Sequence, residues 1–264
     1  MRLPVFAAVF ASLTAFAAQA EPVTVKVAAR PDGSFAYYQD LLQKAFAAGG
    51  VEVKLEQVPD LPQTRIVKAL DDGDLTVHQF VQSAERDGKW AGVPVGLTNG
   101  LIGRRILFIR PGDQEAFSGV KSIADLKALD KAGGFGKGWY DVSVWQANGL
   151  KVTEIPGEWN VIYKMLAAGG RNIDYFSRGV IEILGEAPQQ PDLAVEKSLV
   201  LVYDRDLVFY VSKAQAELAA PLEAGLKKLK ADGTIDKMVQ QYWGDTFKQL
   251  DLEKRTVINL ANPS

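Results

Sequence analysis

The chain has 264 residues, a formal net charge of −2 and an apolar content of 47%. That size suits one large domain or two small ones with a proper core, and the near-neutral balance gives no support for nucleic-acid binding, which normally needs a basic stripe. With no cysteine and one histidine, disulfides are excluded, a His/Cys metal cage cannot be assembled, and any Ser-His-Asp arrangement would have to use His78.

Met1-Arg2 is a short positive start, and Leu3 to Ala18 is apolar or small apart from Ser12 and Thr14. Ala18-Gln19-Ala20 fits a small-x-small cleavage site. Residues 1–20 therefore read as a secretory signal peptide, too short for a membrane span, with export and cleavage before Glu21 expected. Val23 to Ala29 alternates like a strand. Arg30-Pro31-Asp32-Gly33 is a turn, and Ser34 is placed to cap a helix burying Leu41, Leu42, Ala45 and Phe46. Val51 to Glu56 is a second strand. Gln63 to Asp72 is a helix with Ile66, Val67 and Leu70 inward, stopped at Gly73. Leu75 to Phe80 is a third strand, and its His78 reads as a hydrogen-bonded strand residue. The β-α-β-α-β order predicts a parallel sheet with ligand-bearing loops at Arg30–Tyr38 and Val81–Trp90.

Arg104 to Arg110 is a further strand, ended by Pro111-Gly112. Ser122 to Asp125 is a capping box. A glycine-rich segment, Gly133 to Trp139, precedes a helix starting near Asp141. Leu150–Ile155, Asn172–Phe176, Val195–Tyr203 and Leu207–Val211 read as strands, with a helix over Glu158–Ala168. Two helices close the chain. Leu222, Leu226 and Leu229 share one face of the first, Asp232-Gly233 stops it, and Thr234 is placed to cap the second, whose stripe is Ile235, Met238, Val239 and Tyr242.

That closing string, Leu229-Lys230-Ala231-Asp232-Gly233-Thr234-Ile235 with Tyr242-Trp243-Gly244, resembles the ending of the bacterial extracellular solute-binding proteins of family 3, the amino-acid branch of the transporter-associated periplasmic receptors. Asp74-Leu75-Thr76-Val77 followed by Ser83-Ala84-Glu85-Arg86 resembles a second stretch of that family, with Ser83 and Ala84 in place of its Thr and Pro. The resemblance implies a type II-like periplasmic binding fold: two α/β lobes with a central cleft and two hinge crossings. It places lobe 1 at residues 21–110 plus 206–264 and lobe 2 at 111–205. It implies a monomeric periplasmic receptor that captures a small polar, anionic or amino-acid-like molecule by closure and delivers it to the permease of an ABC transporter, without metal, cofactor, nucleic acid or catalysis.

The resemblance puts Arg86 on a ligand carboxylate, since a guanidinium fork donates two parallel hydrogen bonds and stays charged; a surface pair with Glu85 or Asp87 is the alternative. Trp139, at the start of a helix, stands either as a cleft wall or in the core, beside Asp141. Amino-acid receptors place an acid near Arg178; this chain has arginine there. Two facing arginines, Arg86 and Arg178, would favour a ligand with more than one negative group or without an amino group, whereas an internal ion pair of Arg178 with Glu182, four residues on, is the other reading. Tyr37, Arg65 and Glu85 complete the candidates. A periplasmic lyase or dehydratase of the same fold, with Glu85 or Asp141 as acid/base, and a ligand-sensing partner of a membrane kinase are the competing functions.

Overall fold

The computed structural model describes residues 21–59, 61–169 and 172–263. The expected signal peptide, residues 1–20, lies outside the described residues. In chain order the elements are β1 (Val23–Ala29), α1 (Ala36–Ala48), β2 (Val53–Pro59), α2 (Gln63–Asp72), β3 (Val77–Val81), α3 (Ala84–Lys89), β4 (Ala91–Val93), β5 (Arg104–Ile109), α4 (Gln114–Ser118), α5 (Ile123–Ala128), β6 (Ala132–Gly136), α6 (Tyr140–Ala147), β7 (Lys151–Ile155), α7 (Val161–Ala167), β8 (Tyr175–Gly179), α8 (Ile183–Glu186), β9 (Ala194–Val195), β10 (Leu199–Val202), β11 (Leu207–Val211), α9 (Ala219–Ala231), α10 (Thr234–Gln249) and β12 (Thr256–Asn259).

The strands form two sheets, ordered β2-β1-β3-β11-β4 and β12-β10-β5-β8-β6-β7, with β9 beside β5. In the first sheet β1 runs parallel to β2 and β3, and β11 returns antiparallel between β3 and β4. One face packs Val25, Val77 and Phe209 against Leu41, Phe46, Leu222 and Leu226 of α1 and α9. The other packs Ala28, Phe80 and Val208 against Ile66 and Leu70 of α2 and against Trp90. In the second sheet Ile106, Phe108 and Phe176 meet α7, while Leu107, Ile109 and Tyr175 meet α4 to α6. Helices thus cover both faces of each sheet, the arrangement that buried, near-continuous apolar strands require.

Sheet membership departs from the lobe boundaries expected from the resemblance. Arg104–Ile109 pairs with β8 and β10 in the second sheet, not the first, and Thr256–Asn259 joins the same sheet beside β10. The chain therefore first passes between the sheets at 94–103 rather than at Arg110-Pro111-Gly112. It passes back at 203–206 and again before β12. Asp206 clips the first two passages together: its carboxylate accepts from the Thr98 N–H (3.1 Å), the Gly100 N–H (2.9 Å) and the Thr98 hydroxyl (2.5 Å).

Several local expectations also shift. Ser34 does not cap α1; its N–H donates to Asp32 Oδ1 at 2.9 Å. Thr234 is the first residue of α10 rather than its cap; Gly233 holds the cap position, and the Asp232 carboxylate accepts from the Thr234 N–H at 2.9 Å. The glycine-rich run is in part a buried strand, β6, because a Cβ at Gly133 would fall 2.7 Å from the Phe135 and Tyr175 rings. The strand expected at Asn172–Phe176 starts at Tyr175 and carries Arg178 within it. The run Val195–Tyr203 breaks at Glu196, whose carboxylate turns the chain by accepting from the N–H groups of Ser198 and Leu199. Where α9 crosses α1, only glycine fits at 225: a Cβ there would lie 1.7 Å from the Ala45 carbonyl oxygen.

Candidate ligand-binding site

The first wall of the site forms where β3 ends. Ser83 caps α3, its hydroxyl accepting from the Arg86 N–H at 3.4 Å. The Arg86 side chain turns back on the strand. Its Nη1 donates to the Val81 carbonyl at 2.5 Å, and the guanidinium sits 5.2 Å from the centre of the Phe80 ring. Among the described residues it has no carboxylate partner within 4.0 Å. Burial pulls its pKa below the ordinary arginine value, with Tyr210 and Glu85 opposing. Phe80 stacks on Trp90 at 5.4 Å and 13°. Trp90 is fixed in turn by its Nε1–H, which donates to Asp71 at 2.8 Å, and Asp71 also pairs with Lys89 at 2.8 Å.

The second wall follows β6 and β7. Because these strands are parallel neighbours, their carboxyl ends deliver Gly138-Trp139 and Gly157-Glu158-Trp159 side by side. Gly136 is required here: a Cβ would lie 2.5 Å from Trp139 Nε1, so glycine lets the indole fold back over the strand. The two indoles lie 5.6 Å apart. Beneath them lies Arg178, 4.6 Å from the Trp159 ring centre and 5.4 Å from those of Trp139 and Phe176. Between the walls is a cavity of about 250 Å³. Ligand pockets typically run from ~300 to ~1,000 Å³, so this one suits a small molecule.

No family model matches the chain, and no curated protein matches it in sequence. Solved structures do. An ancestral arginine-binding protein bound to glutamine superposes with a TM-score of 0.60 at 19% identity, over 84% of this chain and 98% of that one. An amino acid ABC transporter substrate-binding protein from Streptococcus pneumoniae, bound to L-arginine, gives 0.60 at 18% identity, over 83% and 93%. The GluR0 ligand-binding core from Nostoc punctiforme, in complex with L-glutamate, gives 0.56 at 16% identity, over 84% and 99%. The fold is type II periplasmic-binding-protein-like. In such a fold the crevice beyond the strand ends is where ligands sit, which is where the cavity lies.

Set in this periplasmic-binding fold, the expected site residues divide. Arg86, Glu85 and Trp139 line the cavity. Arg178 does not face Arg86. It is buried behind the tryptophans and ion-paired inward to Glu182 at 3.1 Å and Glu186 at 2.5 Å, so the pair of facing arginines is not formed. Burial works against the Arg178 charge, yet Glu182 and Glu186 hold its pKa well above the ordinary value. Tyr37 is in the core, its hydroxyl donating to the Leu97 carbonyl and its ring packed on Tyr38, Tyr242 and Trp243. Asp141 is also buried, paired with Arg105 at 3.0 Å and accepting from the Tyr203 hydroxyl at 3.1 Å. An acid so occupied has no role in the cleft. Arg65 is exposed on α2 and is not among the lining residues.

Phe80, Lys89, Trp90, Lys137, Glu158 and Trp159 also line the cavity, with Gln63, Thr64 and Val67 of α2; of these, Lys89 and Trp90 fall in the Val81–Trp90 loop expected to carry ligand. The signal for Trp159 was present, since a glycine followed within two residues by tryptophan closes a strand at both 138–139 and 157–159. His78 lies outside this lining, buried on β3 with its ring 5.3 Å from that of Phe35 and 4.7 Å from that of Phe80. Burial, with Arg30 adding, pushes its pKa down to about 3, so it is neutral near pH 7.

Proposed function

We propose that this chain is an exported solute-binding receptor that captures a small carboxylate-bearing molecule between two lobes and presents it to a membrane transporter. One observation carries the reading: a cavity walled by strand ends of both sheets, with the desolvated Arg86 guanidinium exposed to it and lacking an ion-pair partner among the described residues. A carboxylate would satisfy that guanidinium through two charge-assisted hydrogen bonds. The lobes we propose are built on the two sheets, with residues 94–103 and 203–206 as the hinge passages. A ligand touching both walls favours the closed state by its difference in affinity for the closed and open forms.

Delivery to an ABC permease is supported by the fold shared with a protein named as an ABC transporter substrate-binding protein. Periplasmic location is supported by the signal-peptide pattern of residues 1–20. The chain from Glu21 should be screened by thermal shift over amino acids, dicarboxylates and aromatic acids, with small-angle scattering on any hit. A binder should raise the melting temperature and shrink the radius of gyration, and Arg86→Ala should diminish both changes at the same ligand concentration. Turnover of the bound molecule, rather than its recovery intact, would replace the receptor reading with an enzymatic one.

A further inference from the structure

Arg178 sits in a cage whose chemistry is that of a cation receptor. Three ring centres, of Trp159, Trp139 and Phe176, lie 4.6 to 5.4 Å from its guanidinium carbon. Glu186 grips it with both oxygens, at 2.8 Å to Nε and 2.5 Å to Nη2, and Glu182 adds a contact at 3.1 Å. The Tyr163 hydroxyl donates to Glu186 at 2.7 Å and fixes that carboxylate. Aromatic faces and carboxylates together are how proteins receive a guanidinium or ammonium group. Here the chain supplies the guanidinium itself, and two of the three rings are also the wall of the cavity.

We propose that Arg178 is a specificity-determining residue. By filling the cage with its own cation it closes the cage to a cationic ligand, and it leaves the cavity faces of Trp139 and Trp159 to a carboxylate with a flat, uncharged aromatic body. This inference rests on the receptor reading above. A second cation brought to the same two rings would meet the Arg178 charge across a single ring, in a setting where water screens poorly. The carboxylates lining the cavity, Glu85 and Glu158, are both exposed, whereas Asp141, Glu182 and Glu186 are already paired inward. No buried acid among the described lining residues is therefore placed to hold a ligand ammonium. On the other wall the stacked Phe80–Trp90 pair offers a second planar apolar surface, beside the Arg86 fork that would take the carboxylate.

The test is calorimetry and tryptophan fluorescence on the unliganded chain from Glu21, with indole-3-acetate, phenylacetate, L-arginine, L-lysine and L-leucine. At least one aromatic carboxylate should bind about tenfold or more tighter than L-arginine or L-lysine and change the tryptophan emission. L-arginine or L-lysine binding as tightly as the aromatic carboxylates would overturn the proposal. Binding of L-leucine with none of the aromatic carboxylates would also overturn it, while leaving the receptor reading intact; absence of binding by every solute class would remove both. In Arg178→Ala, methylguanidinium should raise the melting temperature of the variant and not that of the parent. A folded variant that methylguanidinium does not stabilise would refute the cage. Should that variant not fold, the ligand comparison on the parent chain decides alone.

Discussion

Arg86 and Arg178 face opposite fates on the two walls of one cavity. Arg86 is anchored by a single backbone carbonyl and a phenyl face, with no carboxylate paired to it among the described residues. Arg178 has two carboxylates and three aromatic rings, and none of its charge is left over for a ligand. The residue type is the same, so its supply of partners decides its work. On the proposed reading, the guanidinium without an ion-pair partner serves as the binding group, and the satisfied one as a structural strut that orients its neighbours.

Removing each arginine in turn should separate stability from binding. Arg178→Ala strands Glu182 and Glu186 beside the rings that Arg178 supported. We expect a loss of about 3 kcal/mol in unfolding free energy, the lower end for breaking a buried pair because both acids keep partial solvent access. Urea denaturation measures it, and a loss below 1 kcal/mol would show that the cage does not hold the wall. Arg86→Ala should do the reverse. Its stability should stay within about 1 kcal/mol of the parent, while affinity for a carboxylate ligand falls by about 2 kcal/mol, the typical worth of a charged hydrogen-bond partner. Calorimetry beside the urea curve reads both, and undiminished affinity would take Arg86 out of the site.

The Asp206 clip joins the two passages between the sheets, and its loss should have a smaller effect. Asp206→Ala frees two backbone N–H groups and a hydroxyl at the first passage. Water can reach part of this site, so the cost should be about 1.5 kcal/mol. Ligand affinity should fall as well, because the two passages no longer move as one strap. Stability lost with affinity retained would show that the clip is only a fold contact.

The contrast between the arginines also marks what the sequence could disclose. Sharply bounded elements were legible: α2, with one apolar face, and β11, a short run buried on both faces, fall on the residues that the sequence marks, Gln63–Asp72 and Leu207–Val211. The position of Arg86 just past a strand was legible for the same reason. Sheet membership was not, because a buried run such as Arg104–Ile109 carries the same pattern in either sheet. Nor were the fates of Tyr37, Asp141 and Arg178. Tyr37 is claimed by Leu97 and Trp243, and Asp141 by Arg105 and Tyr203, partners 36 to 206 positions away that only the fold brings close. For Arg178 the partner at i+4 was visible, but Glu186 required knowing how α8 turns back on β8, and the two tryptophans required knowing that β6 lies between β8 and β7.

A pH slope should also reach the Arg86 wall through His78. The neutral His78 ring packs against Phe80, the same ring on which the Arg86 guanidinium rests. Its folded pKa of about 3 lies below the ordinary 6.5, with burial the main cause and Arg30 adding to it. The unfolded chain therefore binds this proton first. The stabilisation is fully present above about pH 6.5 and is lost as the pH falls from there toward 3, at up to about 1.4 kcal/mol per pH unit. Carboxylates titrate in the lower part of the same window, so the informative quantity is a difference. The unfolding free energy of His78→Phe, subtracted from that of the parent at each pH from 7 to 4.5, should change by about that slope, with the variant losing less on acidification. Above pH 7 the difference should be flat. A flat difference throughout would mean that His78 takes up its proton as readily folded as unfolded, and that acid then places a second cation against the ring that seats Arg86.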